Sequence, residues 1–315
     1  MSTSRPTFVG IGAPRCGTTW LHVQLQSHPD IWLPPLKELH FFDAASRYTS
    51  PGTFQIANPL RRLVAPGRWG GRSTATALGQ VVRRALRGDT EAAAWWMRVA
   101  TATYDDSFYP RLFPGAGYRA TGEFTPAYSL LDTDDIRRIH AVNPDMRLIF
   151  MARDPIERAW SSLRYNVGRG RLALDLTDGP VVVEHLKAEA VRRGTGIVRG
   201  EFRQTIEAYL EVFRPDQLLV GFFDAIAQDP HGILADLCAH LGVPGFAFPK
   251  AGEAINAAAK ESDIPAAVRD HFASVYEEQN AFMADRFGSY ALDWARRGSA
   301  RSDRPATVRC DRVKF

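Results

Sequence analysis

The chain reads as an α/β protein with a central parallel sheet flanked by helices in three layers. Three observations predict this. Phe8-Val9-Gly10-Ile11-Gly12 runs through a glycine-bounded loop into an apolar-periodic helix opening near Thr18. Four more apolar runs of strand length follow, and segments of helical periodicity separate them. Strands alternating with helices pair in parallel, because a parallel connection needs a crossover about as long as a helix.

Taken in order, the later strands are predicted at 31–33, 118–123, 146–151 and 217–223, each short, apolar and bounded in several cases by Pro, Gly or Asp. Helical spacing of apolar residues predicts helices at 133–142, 156–166, 202–213, 233–241 and 265–287. Residues 44–103 break the alternation, with turns at Pro51-Gly52, Pro66-Gly67 and Gly70-Gly71 before a helical Ala92 to Met97 run. We expect a single domain over 1–298 in which this insertion serves as a substrate lid. Trp69, Trp95, Trp96 and Tyr104 would form an apolar wall there, or else core. The basic segment 61–98 is expected as a solvated face and 299–315 as a loosely ordered basic tail.

The composition is that of an ordinary globular protein, mildly basic at net charge +4. That charge suits an enzyme for anionic substrates as well as a weak nucleic-acid binder. The residues before the first strand lack a signal-peptide pattern, no run reaches a bilayer span, and three scattered cysteines give no disulfide framework or zinc spacing. A cytoplasmic protein without a metal is the expectation. The high Ala and Arg content points to a GC-rich bacterial source.

Chemistry concentrates in two loops. Gly12 and Gly17 bound Ala13-Pro14-Arg15-Cys16, so backbone N–H groups and a helix dipole converge on an anion. The spacing G-x-x-x-x-G is that of the nucleotide P-loop, yet Thr18 stands where an ATPase or GTPase has its lysine, and the cation lies upstream at Arg15. The second loop, Arg153-Asp154-Pro155-Ile156-Glu157-Arg158-Ala159-Trp160-Ser161, follows a strand at 146–151. Asp154 caps the helix that Pro155 opens, which leaves Arg153 at the carboxyl end of that strand, where open α/β sheets bind ligands.

Together these segments resemble the sulfotransferases that use 3′-phosphoadenosine 5′-phosphosulfate (PAPS), in the P-R-x-G-T-T version of the first loop and the R-D-P-x-x-R-x-x-S form of the second. The resemblance covers roughly 7–43 and 105–295 and implies a P-loop NTPase-like fold. It also implies that the loop from Arg15 through Cys16, Gly17, Thr18, Thr19 and Trp20 holds the 5′-phosphosulfate, that Arg15 stabilises the leaving group, and that Arg153 and Ser161 grip the 3′-phosphate. A guanidinium fork and a hydroxyl are suited to that phosphate. The K-G-R loop that several relatives fold over the cofactor has no convincing counterpart; 256–262 or the tail are candidates to replace it. Cys16 at a helix start could form a stabilised thiolate, but a tyrosine-phosphatase pattern needs arginine where His22 stands, so a structural role is expected.

Lys37-Glu38-Leu39-His40-Phe41-Phe42-Asp43 resembles the K-E-x-x-F-F segment of glycan sulfotransferases, which implies Glu38 as general base. Shelter by Phe41 and Phe42 is expected to raise its pKa toward a useful value. His40 is the rival base, since imidazole suits proton abstraction near neutral pH. Gly122-Glu123-Phe124-Thr125-Pro126-Ala127-Tyr128 resembles the family's E-K-T-P-x-Y segment near the acceptor, with Phe124 in place of lysine, and makes Glu123 a secondary candidate. The resemblance implies transfer of a sulfuryl group from PAPS to a hydroxyl of a small molecule, such as a secondary metabolite, glycolipid or sugar. Other readings of the residues are a P-loop kinase using ATP and magnesium, disfavoured by the missing lysine, and a non-catalytic nucleotide- or nucleic-acid-binding module, which leaves Glu38 unexplained.

Overall fold

In the computed structural model, which describes residues 5–45, 47–48, 54, 56–64, 71–190, 200–253 and 264–298, five parallel strands form one sheet. They are β1 (Phe8–Gly12), β2 (Ile31–Trp32), β3 (Ala120–Phe124), β4 (Arg147–Ala152) and β5 (Leu218–Phe222), ordered β2-β3-β1-β4-β5. Every residue of β1, β3 and β5 is buried, as helices covering both faces of a parallel sheet require. The chain builds β2 and β3 to one side of β1 and then returns to place β4 and β5 on the other. Connections leaving the carboxyl ends of β1 and β4 therefore border a crevice at the point where strand order reverses.

The sheet is flanked by α1 (Thr18–Leu25), α2 (Pro59–Val64), α3 (Gly71–Leu86), α4 (Thr90–Thr101), α5 (Thr133–Val142), α6 (Pro155–Gly168), α7 (Gly179–Ala190), α8 (Phe202–Leu210), α9 (Phe223–Gln228), α10 (Pro230–Leu241), α11 (Ala266–Val275), α12 (Glu277–Phe287) and α13 (Ser289–Gly298). Asp132, Asp154 and Asp229 cap α5, α6 and α10 by accepting a first-turn amide. The single helix expected over 265–287 is instead two, α11 and α12, broken at Tyr276. That ring is fully buried, stacks on Phe272 and receives a hydrogen bond from Arg158, while Tyr276 N still bonds to Phe272 O at 2.9 Å and Asn280 N to Tyr276 O at 2.8 Å across the boundary. The helix expected over 202–213 ends at Leu210, after which Phe213 N turns back to Tyr209 O at 2.8 Å ahead of Pro215. Helices α7 and α11 cover the apolar side of α6, where Val182, Leu186, Val268 and Phe272 join Ile156, Trp160 and Leu163 in a second apolar cluster.

Within the insertion, Trp95 and Trp96 are buried and belong to the main core, so they build no exposed wall. Trp69 and the turns at Pro51-Gly52, Pro66-Gly67 and Gly70 lie outside the described residues, as do 256–262 and the tail 299–315. Gly71 opens α3 rather than a turn. Arg62 is an exception to the solvated basic face, on which Arg61, Arg83, Arg87 and Arg98 are exposed. It is buried, lies 3.8 Å from the Tyr104 ring centroid and donates to the carbonyls of Ile56, Ala57, Ala100 and Ala102, stapling α2 to the end of α4. Four carbonyl acceptors replace the water that a buried guanidinium gives up.

Candidate active site

The first loop ends at Gly17, whose φ of 87° lies in the left-handed region and whose α-carbon has no room for a side chain: a Cβ would meet Ile226 Cδ1 at 2.5 Å. No side chain caps α1, and its first turn carries no acidic residue. The first intrahelical bond runs from Leu21 N to Gly17 O at 3.1 Å, so the amides of Thr18, Thr19 and Trp20 precede it and form a donor cluster at the positive end of the dipole. Thr18 and Trp20 have buried side chains. Cys16 faces the core, its amide turned to Ala13 O and its thiol pushed up to about 12 by burial, which suits the structural role expected of it.

Arg15 and Ser161, from the two separate motifs, touch: Arg15 Nε donates to Ser161 Oγ at 3.1 Å. The Arg15 guanidinium also lies 4.7 Å from the centroid of the Tyr165 ring, one turn further along α6. Arg153 follows β4 directly and is held between Phe223, 4.5 Å from the ring centroid, and Glu157 at 3.9 Å. Burial lowers the pKa of Arg15; Tyr165 opposes this, and the charges of Arg153 and Arg164 add to it. Guanidinium groups close enough to perturb one another form a site that a polyanion relieves.

The third group of candidates lies in the loop after β2. Glu38 and His40, side by side with Leu39 between them, have φ of 63° and 55°, and Arg15 has 70°. Among the described residues these are the only non-glycine positions with positive φ, and they coincide with the three catalytic candidates. Left-handed backbone costs such residues roughly 1–2 kcal/mol each, and it persists where surrounding contacts over-determine it.

Glu38 and His40 are joined rather than alternative. Lys37 Nζ lies 2.5 Å from Glu38 Oε1, His40 Nε2 lies 3.7 Å from Glu38 Oε2, and His40 Nδ1 lies 2.7 Å from Asp43 Oδ2. Desolvation pushes the Glu38 carboxyl up, but the His40 hydrogen bond and the Lys37 charge outweigh it and bring the pKa down to about 2. This reverses the raised value expected from Phe41 and Phe42. Those rings turn inward against Tyr109 and Tyr128, leaving the Glu38 side chain 41% exposed and beside two cations. For His40, burial works against the charge, yet Asp43 and Glu38 raise the pKa to about 9. Asp43, 1% exposed, is the member of this chain that the motif reading passed over; a carboxylate three residues after a histidine was its signal. Glu123, expected at the acceptor surface, is instead fully buried beneath the loop.

These shifts fix a pH window. Glu38, depressed, contributes stability present above its unfolded value near 4.5 and lost as pH falls toward 2. His40, raised, contributes stability fully present below 6.5 and lost as pH climbs through about 9. The Tm difference between the wild type and His40→Gln is therefore expected to be largest between pH 4.5 and 6.5 and to shrink toward pH 9; a difference that grows with pH would contradict this pairing.

Comparison with known proteins bears on this geometry. A model described as "Sulfotransferase family" matches residues 6–247. Carbohydrate sulfotransferase 15 of Homo sapiens is 29% identical over 184 residues, and that of Rattus norvegicus 26% over 183. Each match covers 54% of this chain and 29% of the relative, so the chain spans less than a third of those proteins. Among solved structures, a sulfotransferase from Alicyclobacillus acidocaldarius superposes with a TM-score of 0.57 at 26% identity, covering 92% of this chain and 95% of that one.

Proposed function

Because the chain belongs to the sulfotransferase family, we propose that it transfers the sulfuryl group of PAPS to a hydroxyl of a small-molecule or carbohydrate-like acceptor. The single observation that carries this reading is the Arg15–Ser161 hydrogen bond, which joins the phosphosulfate loop to the 3′-phosphate motif in one crevice. The uncapped start of α1 and the guanidinium groups of Arg15 and Arg153 fit a nucleotide bearing anions at both ends. The lysine that a kinase needs is absent from this loop, since Thr18 occupies its position.

In this reaction the donor supplies an activated sulfur whose bond to the bridging phosphate oxygen breaks as the acceptor oxygen bonds to it. Thr18, Thr19 and Trp20 offer backbone amides to the phosphosulfate, and Arg15 neutralises the electron pair left on the bridging oxygen. Arg153 and Ser161 hold the 3′-phosphate. Glu38 takes the acceptor proton, and Asp43 holds His40, which in turn orients Glu38. The insertion over 44–103 serves as a lid on the acceptor side. No helix among the described residues is long and apolar enough to cross a membrane, and we place the protein in the cytoplasm.

Calorimetry with adenosine 3′,5′-bisphosphate, ADP and ATP–Mg²⁺ at fixed ionic strength tests the donor class. Only the 3′-phosphorylated nucleotide is expected to bind tightly, without metal. Arg153→Ala is expected to weaken that binding about 10- to 100-fold, the loss of a charge-assisted phosphate contact, while ADP affinity stays the same. Preference for ATP–Mg²⁺, or unchanged affinity in Arg153→Ala, would overturn the assignment.

A further inference from the structure

Four consecutive backbone amides of the loop bearing Glu38 and His40 are caught by one segment at the end of β3. Glu38 N donates to Phe124 O at 3.1 Å, Leu39 N to Glu123 Oε2 at 3.4 Å, His40 N to Thr125 Oγ1 at 3.4 Å and Phe41 N to the Tyr128 hydroxyl at 2.9 Å. The two hydroxyls that accept there must send their own protons elsewhere, and both send them to Glu123. Thr125 Oγ1 donates to Glu123 Oε2 at 2.5 Å and the Tyr128 hydroxyl to Oε1 at 2.9 Å, with the Tyr109 hydroxyl also on Oε1 at 3.1 Å. A hydroxyl carries one proton, so a carboxylate that takes it leaves the lone pairs turned toward the loop. Glu123 thus binds one loop amide directly and fixes the acceptor direction of the groups that bind the next two.

We infer that Glu123 is a positioning residue, a fully buried carboxylate that holds Glu38 and His40 in their left-handed backbone through the amides of Leu39, His40 and Phe41. The inference rests on the proposed reaction for its effect on turnover, and on geometry alone for its effect on the loop. Burial outweighs the pull of its four donors and leaves the Glu123 pKa raised, yet all four contacts are donors aimed at its oxygens, so the ionised form is the one its neighbours are arranged to satisfy. No side chain but Glu or Asp can accept all four bonds here, because Gln must aim an NH₂ at groups that are themselves donors.

The test is Glu123→Gln, read in two ways. Turnover with PAPS and an accepted hydroxyl substrate is expected to fall about 10- to 100-fold in kcat, the scale of a reacting group misplaced by about 1 Å, while affinity for adenosine 3′,5′-bisphosphate stays within about twofold. The His40 imidazole, followed by NMR without any ligand, is expected to titrate near 9 in the wild type and to fall toward 6.5 in the variant, because a released loop separates it from Asp43 and Glu38. Should Glu123→Gln not fold, Thr125→Val removes the acceptor for His40 N and one of the four donors to Glu123 while leaving the carboxylate, and is expected to shift the imidazole in the same direction by less. An unchanged His40 titration in a folded variant would overturn the inference. A shifted titration in a protein that binds no adenosine 3′,5′-bisphosphate would instead leave the positioning role standing and remove the proposed function.

Discussion

Replacing Arg15 by alanine is expected to lower kcat about 10²- to 10³-fold, the scale seen when one preorganised donor to a developing charge is removed. The guanidinium is set before any substrate arrives: its Nε is on Ser161, the Tyr165 ring lies under it, and its backbone is held at φ 70°. A group fixed in advance spends no reorganisation when charge builds on the bridging oxygen. Alanine at the same φ carries the same left-handed cost, so backbone strain adds nothing to the effect and the large loss is expected in rate. Arg15→Lys keeps the charge without the planar fork that reaches Ser161, and is expected to recover only part of the rate. Single-turnover measurements at saturating donor separate this from weakened binding. A kcat within about threefold of the wild type in Arg15→Ala would remove Arg15 from the leaving-group role that the proposed reaction assigns it.

The contrast between what was readable and what was not follows from the range of the contacts involved. The β1-loop-α1 and β4-α6 units were legible because single residues dictate them locally: Gly17 for its positive φ, Asp154 and Pro155 for the start of α6. Both loops then meet because β1 and β4 are neighbours in the sheet, a strand order that the alternation of strands and helices leaves open. The boundary at Tyr276 has no local signal, and the residues that meet its ring, Phe272 and Arg158, lie on different helices. Arg62 looked like one more surface cation because its four carbonyl partners come from both ends of the insertion. The Glu38 pKa was misjudged for a similar reason. Two phenylalanines in the sequence say that apolar mass is near, but the direction those rings take, inward to Tyr109 and Tyr128, is set by the segments before and after β3.

In the proposed reaction, that same arrangement favours Glu38 over His40 as the group that takes the proton. With its pKa raised to about 9, His40 is an imidazolium at neutral pH, its two N–H groups directed to Asp43 and Glu38, and it has no lone pair to offer. Glu38 is ionised over the same range and can accept. A carboxylate near 2 is a weak base, and the two cations that depress it are Lys37 and His40, so its basicity rises when either loses contact with it. Glu38→Gln, which preserves shape and removes the acceptor, is therefore expected to lower kcat about 10²- to 10⁴-fold. The pH profile carries the sharper consequence. If Glu38 is the base and protonated His40 orients it, kcat/KM declines as pH rises through about 9, where His40 loses the proton it donates. If His40 were the base, activity would climb toward the same pH. His40→Gln should then act differently from Glu38→Gln: it keeps a donor toward Glu38 but carries no titrating group, so the alkaline decline disappears while part of the rate survives. A rate that rises between pH 7 and 9 in the wild type and is lost altogether in His40→Gln would transfer the catalytic base from Glu38 to His40.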